Sequence, residues 1–63
     1  MNMKQFIGIK SKDGTDYIIN INNITYIRKK EADDYKVYFC DDDHIHLSEA
    51  QVRRIFEEIG ISL

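Results

Sequence analysis

The residues with the richest chemistry lie between Cys40 and His46. The segment CDDDHIH combines one thiol, three carboxylates and two imidazoles. His44 and His46 are two positions apart, so both rings would point to the same side of a β-strand. Thiolates and imidazoles are common zinc ligands, and Asp42 could complete a set of four. This spacing is a weak metal signature, because structural zinc sites typically use two well-defined ligand pairs.

A hairpin explains the same segment without a metal. With Asp41–Asp43 as a three-residue loop, two strands pair with their apolar residues matched. The cross-strand pairs would then be Cys40 with His44, Phe39 with Ile45, Tyr38 with His46 and Val37 with Leu47. We therefore expect no metal and no other cofactor. The histidines would be half-polar strand residues, or a pH-sensitive element, because imidazole changes charge near neutrality.

Composition narrows the class of protein further. A chain of 63 residues has room for one domain, residues 1–63. No nucleophile motif, phosphate-cradling glycine loop or paired-carboxylate signature occurs, so we predict that the chain is not an enzyme. Cys40 is the only cysteine, which suits a reducing cytoplasm. No long apolar run occurs, so no membrane span is expected.

Hydrophobic spacing predicts an α+β fold, a small antiparallel β-meander of about five strands with one C-terminal helix packed on one face. Alternation predicts the strands Gln5–Lys10, Asp16–Ile21, Ile24–Lys29, Tyr35–Cys40 and His44–Leu47. In the first hairpin, matching the apolar residues places Ile7 opposite Ile19. Ser48 and Gln51 form a capping box, which predicts that a helix begins there, and Gly60 would end it. The apolar stripe of this helix comprises Val52, Ile55, Phe56 and Ile59.

The helix can cover only one side of the sheet. The covered side would hold Ile7, Ile9, Tyr17, Ile19, Ile21, Val37, Phe39, Ile45 and Leu47. Alternation then assigns Phe6, Gly8, Ile18, Ile27, Tyr38, Cys40, His44 and His46 to the opposite side. An exposed sheet face is normally polar, and an apolar one often marks an interface or a ligand surface. The alternative is a sheet that curls over its own second face.

These observations predict a small regulatory or adaptor protein that works as a homo-oligomer or by docking a protein partner through this second face. A chain of this size is marginally stable alone, which favours association. The alternative is an oligomeric protein that binds or sequesters a small anionic, nucleotide-like ligand, as phage-type inhibitors of host defence do. The predicted partner- or ligand-binding residues are Phe6, Ile18, Tyr26, Ile27, Arg28, Tyr38, Cys40, His44 and His46. The basic run Arg28–Lys30 is short and the net charge is −2, so no nucleic-acid partner is expected.

The segment IININNITYIRKKEADDYKVYFCDDDHIHLSEAQVRRIFEEI resembles two known families. One is the FlbD-like family of small flagellar proteins, with a strand, a DG-type turn, a second strand, an Asn-x-x-I-x-x-I step, a hairpin and a terminal helix. The other is the first half of LytTR DNA-binding domains, whose I-x-Y-I step, hairpin and Ser-capped helix look like Ile24 to Ile59. Both resemblances imply the same fold. LytTR domains continue into a second half that helps to read DNA, so DNA recognition is not expected here.

Overall fold

A computed structural model describes residues 5–62 of the chain. The elements are β1 (Phe6–Lys10), β2 (Asp16–Asn20), β3 (Ile24–Glu31), β4 (Asp34–Phe39), β5 (His44–Leu47) and the helix α1 (Glu49–Ile59). The α+β prediction is confirmed, but the strands divide into two antiparallel sheets, β1–β2 and β3–β4–β5. The short 3-10 helix Ile21–Asn23 connects them, and the Asn20 side chain caps it by accepting a hydrogen bond from the Asn22 amide.

The first hairpin has the predicted register. Ile7 lies opposite Ile19 and Ile9 opposite Tyr17. Gly14 adopts a left-handed φ of 91°, a conformation that glycine reaches without steric cost. The Asp13 carboxylate accepts hydrogen bonds within the turn, from the Ser11 hydroxyl and the Thr15 amide. These two bonds, the one from Ser11 first, hold the pKa of Asp13 below its usual value.

The second hairpin is shifted by two residues from the predicted register. Its loop closes between Phe39 and Asp43, because the Phe39 amide donates to the Asp43 carbonyl at 2.9 Å. The loop is therefore residues 40–42, and Asp42 takes the left-handed position with a φ of 70°. Aspartate tolerates this conformation better than most residues, because its short side chain can bond to the nearby backbone. The predicted pairing of Cys40 with His44 is wrong, since Cys40 lies in the turn.

This shift moves every cross-strand pair but leaves each residue on its predicted face, because the side-chain period of a strand is two. Val37 pairs with Ile45 and Tyr35 with Leu47. In the observed register the buried Tyr35 replaces Val37 as the partner of Leu47, and Val37 replaces Phe39 as the partner of Ile45.

Strand β3 departs from strict alternation. The pairing with β4 is irregular between Ile24 and Tyr26, where one extra residue forms a bulge. As a result Ile24 and Ile27 both pack against the buried core. The prediction that Ile27 lies on the second face is therefore wrong.

Helix α1 packs on the sheets as predicted. Ser48 caps it by accepting a hydrogen bond from the Gln51 amide, and Gly60 ends it with a left-handed φ of 83°. The Asp33 carboxylate, from the turn between β3 and β4, accepts a bond from the Glu49 amide at 2.8 Å. The buried core consists of Ile7, Ile9, Ile19, Tyr35, Val37, Leu47, Val52 and Ile55. Among residues 5–62, no helix has the length and apolar character of a membrane span.

Candidate nucleic-acid interface

The three-stranded sheet carries a row of four rings on the face opposite the core, which we call the outer face. The Tyr26 and Tyr38 rings are stacked, with centroids 4.4 Å apart and planes 17° apart. The Tyr38 ring lies 5.3 Å from the His44 ring. The His44 ring in turn lies 5.4 Å from the His46 ring, with its edge toward it. We call Tyr26, Tyr38, His44 and His46 the ring row.

Sheet register explains why these rings meet. Tyr26 lies directly opposite Tyr38 on β4, and Tyr38 lies directly opposite His44 on β5. Side chains at opposite positions approach closely, and an aromatic pair contributes about 0.2–1 kcal/mol relative to alanine. His46 follows two positions along β5, so it shares the same side. The row therefore crosses all three strands.

Two cations lie beside the ring row on the outer face. Arg28 is opposite Lys36, and Lys36 is opposite His46. We call Arg28 and Lys36 the basic pair. Within the part of the chain that the structure describes, neither forms an ion pair or a side-chain hydrogen bond. The basic pair is therefore available to an anion from outside.

Other basic residues are already engaged. Lys10 contacts Asp16 at 2.9 Å on the first hairpin. Arg53 contacts Glu49 at 2.7 Å on α1. The Lys12 ammonium donates to the Asp33 carbonyl at 2.7 Å. The contrast sets the basic pair apart from these three cations.

An acidic residue holds one end of the ring row in place. The Nδ1 atom of His46 lies 3.2 Å from Oδ1 of Asp34, which is half-buried. The hydrogen bond from His46 lowers the pKa of Asp34, and the charges of Lys12 and Lys30 act in the same direction. Asp34 therefore stays ionised near neutral pH and orients the imidazole.

Three carboxylates also lie at the edge of the outer face, where β4 is joined to β5. Asp41, Asp42 and Asp43 are exposed in the turn that precedes His44. Their charges would repel an anion near His44. An anionic ligand on this face is therefore expected to contact the basic pair and Tyr26.

The structure separates the predicted site residues into four places. Tyr26, Arg28, Tyr38, His44 and His46 share the outer face. Phe6 and Ile18 lie on the other sheet, and both are exposed, at 56% and 80%. Cys40 is exposed in the turn, and Ile27 packs on the core. In residues 5–62, no three His, Cys, Asp or Glu side chains are grouped so that they could hold a metal ion.

One residue of this face was missed by the sequence analysis. Lys36 was not assigned to a site, although it lies two positions before Tyr38 on one strand. Alternation back from Tyr38 would have placed it on the same side. Lys36 belongs neither to the apolar residues of this face nor to the run Arg28–Lys30, so only the alternation of β4 indicates its position.

Comparison with known proteins identifies the class. Residues 14–60 match the family model of the LytTr DNA-binding domain. The match runs from the first turn through β2, the three-stranded sheet and α1 to its capping Gly60. The chain therefore belongs to the LytTR family of DNA-binding domains. Searches of curated proteins and of solved structures give no significant match.

This finding corrects two expectations. The prediction that nucleic acid is not a partner is wrong, since the family is defined by DNA binding. The prediction of an adaptor that acts by homo-oligomerisation or protein docking is wrong for the same reason, and the alternative of an oligomeric small-ligand binder is no better supported. The LytTR resemblance is confirmed, whereas the likeness to FlbD-like proteins is not shown. The family is a binding family and not a catalytic one.

Net charge is a poor guide to a DNA-binding surface, because it averages over the whole molecule. The total of −2 includes carboxylates of the turns and of α1 that are not part of the outer face. DNA responds to the local potential of the surface that it contacts. Two unpaired cations on one sheet face therefore say more about binding than the sum over the chain.

Proposed function

We propose that this chain binds DNA through the outer face of β3–β4–β5, as the DNA-binding element of a regulator. The observation that carries the proposal is the basic pair beside the ring row, within the region that matches the DNA-binding family. Arg28 and Lys36 would contact phosphates and so hold the sheet against the nucleic acid. No catalytic step is part of this role.

The dimensions of the sheet suit a DNA groove. Neighbouring strands are about 4.8 Å apart, so three strands span about 10 Å. The major groove of B-DNA is about 12 Å wide and admits a two-stranded β-ribbon. Part of the outer face could therefore enter the groove. Phenol and imidazole groups can exchange hydrogen bonds with phosphates or base edges.

The charge pattern predicts the strength of binding. Each phosphate that a cation neutralises releases condensed counterions, which is the main source of sequence-independent affinity. A basic pair supplies two such contacts, so we expect weak binding that depends on salt. The acidic turn at residues 41–43 limits the contact area. A DNA-binding role also agrees with the cytoplasmic location expected from the single thiol.

Charge-matched variants test the proposal. A labelled mixed-sequence duplex of about two helical turns would be titrated with protein at about 0.1 M salt, and fluorescence anisotropy would report binding. The double variant Arg28→Gln/Lys36→Gln should bind about one to two orders of magnitude more weakly than the unchanged chain, since two phosphate contacts are lost.

The control is Lys10→Gln/Arg53→Gln, which removes the same charge from residues that are already paired. This control should keep most of the affinity. Equal losses in the two double variants would show that net charge and not the outer face governs binding. If the unchanged chain fails to bind DNA at low salt, the proposed function is wrong.

A further inference from the structure

We propose that duplex binding by the outer face is controlled by pH, because both histidines of the chain lie on this face and add positive charge to it when they are protonated. The inference rests on the proposed function and names the regulation of that same site. The chain contains two histidines in all. Both belong to the ring row, so every imidazole charge that the chain can gain appears beside the basic pair.

His46 lies next to the basic pair. It is directly opposite Lys36 on β4, and its side chain is 41% exposed. An ionised carboxylate can only accept a hydrogen bond, so in the contact with Asp34 the hydrogen is on Nδ1 of His46. A proton taken up by the ring therefore goes to Nε2, an atom to which no residue in the range 5–62 forms a hydrogen bond. The new N–H group can donate to a phosphate oxygen.

His44 extends the effect toward the acidic turn. Its side chain is exposed, and its ring lies between the Tyr38 ring, at 5.3 Å, and the His46 ring, at 5.4 Å. The carboxylates of residues 41–43 directly precede it in the chain and oppose an anion at this end of the face. A protonated His44 offsets part of this repulsion. The phosphates of a duplex could then contact the ring row from Tyr26 as far as His44.

Charged and titratable groups from several elements face the two rings. Around His46 they come from β4 and from the first turn: Asp34, Lys36, Lys12 and Asp13. Around His44 they come from β4, from β2 and from the second hairpin loop: Tyr38, Tyr17, Cys40, Asp41 and Asp43. Carboxylates titrate below about pH 5, and thiols, phenols and ammonium groups above about pH 8. Between these limits, the imidazoles are the groups of this set that change charge.

Protonation adds two positive charges to a face that carries few. The basic pair and Asp34 together have a charge of +1 when the imidazoles are neutral and of +3 when both are protonated. Two charged rings 5.4 Å apart repel each other, so their protons bind in two coupled steps. A phosphate close to both rings relieves this repulsion. Protons and DNA therefore favour each other's binding, and the coupling is reciprocal.

A variant without imidazoles tests the proposal. The mixed-sequence duplex would be titrated by anisotropy at about 0.1 M salt, at about pH 7.5 and about pH 5.5. One additional phosphate contact is equivalent to about eightfold in affinity at this salt concentration, relative to about 1 M salt, so the unchanged chain should bind about tenfold more tightly at the lower pH. His44→Gln/His46→Gln cannot gain charge, and its affinities at the two pH values should agree within about twofold.

A fixed-charge variant tests the proposal by a gain of affinity, which loss of the fold would not produce. His44→Lys/His46→Lys carries both charges at either pH, and a lysine at position 46 can still donate to Asp34. At about pH 7.5 this variant should bind the duplex as tightly as the unchanged chain does at about pH 5.5, within about threefold. An affinity no higher than that of the unchanged chain at the same pH would contradict the proposal.

The dependence on salt separates added charge from a change in conformation. For the unchanged chain, the slope of the logarithm of affinity against the logarithm of salt concentration should be about −1.8 at about pH 7.5. It should steepen by about 0.9 at about pH 5.5 if one more phosphate is neutralised. Tighter binding with an unchanged slope would refute the role of the imidazole charges.

The remaining outcomes distinguish this inference from the proposed function. Equal affinities of the unchanged chain at the two pH values would overturn the inference but leave DNA binding through the outer face standing. The same pH dependence in His44→Gln/His46→Gln as in the unchanged chain would do likewise. Absence of duplex binding at both pH values would overturn the proposed function together with the inference.

Discussion

Replacing one buried and one exposed isoleucine of α1 would test how the helix holds the sheets. Ile55 is completely buried in the core, whereas Ile59, one turn later, is 44% exposed. Both changes to alanine remove the same atoms from the same helix and raise helix propensity equally. Any difference between the variants therefore reports the packing of α1 on the sheets.

The burial of each side chain sets the expected cost. Ile55→Ala removes a fully packed side chain and leaves a cavity, which costs about 2–5 kcal/mol. Ile59→Ala loses about half of a buried-isoleucine contribution, about 1 kcal/mol, part of which the better helix propensity of alanine offsets. A chain of 63 residues is expected to have an unfolding free energy of about 3–6 kcal/mol. Ile55→Ala should therefore leave the protein close to unfolding.

Urea denaturation followed by far-ultraviolet circular dichroism would measure both variants. With a denaturant dependence of about 1 kcal/mol per molar, Ile55→Ala should lower the midpoint by about 2 M or more and Ile59→Ala by less than about 1 M. Equal shifts would show that α1 is rotated about its axis, so that Ile55 and Ile59 are equally buried. A larger shift for Ile59→Ala would refute the packing altogether.

Three further predictions concern charge and loop conformation. The logarithm of duplex affinity should fall with the logarithm of salt concentration with a slope of about −1.8, which is a loss of about twelvefold between about 50 and about 200 mM. The double variant Arg28→Gln/Lys36→Gln should flatten this slope toward zero. An unchanged slope would contradict the role of the basic pair. Asp42→Gly should raise the unfolding free energy by about 0.5–1 kcal/mol, because glycine takes a left-handed φ without strain, and a loss of stability in urea titration would argue against the loop at residues 40–42. Because the pKa of Asp34 is lowered in the folded state, its contribution to stability is present above the unfolded value of about 4 and is lost as the pH falls through the folded value. The melting temperature of Asp34→Asn should therefore depend less on pH below about 4, and an acid dependence identical to that of the unchanged chain would refute this effect.

The features that the sequence predicted correctly are those in which several local signals agree. In the first hairpin, the apolar register and the glycine in the turn lead to one solution, and Ile7 pairs with Ile19. In α1, the capping pair and the terminal Gly60 agree with the apolar stripe. An element is well specified when its apolar pattern, its turn residues and its capping residues all predict the same structure.

The second hairpin failed because two registers satisfy the same pattern. A shift by two residues exchanges partners without exchanging faces, so alternation cannot choose between them. The choice depends on the left-handed conformation of Asp42 and on the burial of Tyr35 against Leu47. The alternation of apolar residues indicates neither the conformation of Asp42 nor the burial of Tyr35. The misplaced Ile27 has a similar cause, since a bulge in β3 interrupts the alternation.

The structure brings part of the predicted site together. Tyr26, Arg28 and Tyr38 lie on one face of the three-stranded sheet, and the histidines share it. The prediction of a protein or small-ligand partner followed from the apolar residues of this face, whereas the DNA-binding proposal follows from its cations. The division into two sheets also separates Phe6 and Ile18 from this surface. In a single continuous sheet, Phe6 and Ile18 would have shared a face with Tyr38.

Nuclear magnetic resonance would test the central claim most directly. Single-stranded and duplex DNA would each be added to isotope-labelled protein, and the amide shifts followed by residue. DNA binding through the outer face predicts the largest shifts at Tyr26, Arg28 and Lys36, with little change at Arg53 on α1. Shifts concentrated on α1 or on the first hairpin, or no shifts with either DNA, would contradict the account.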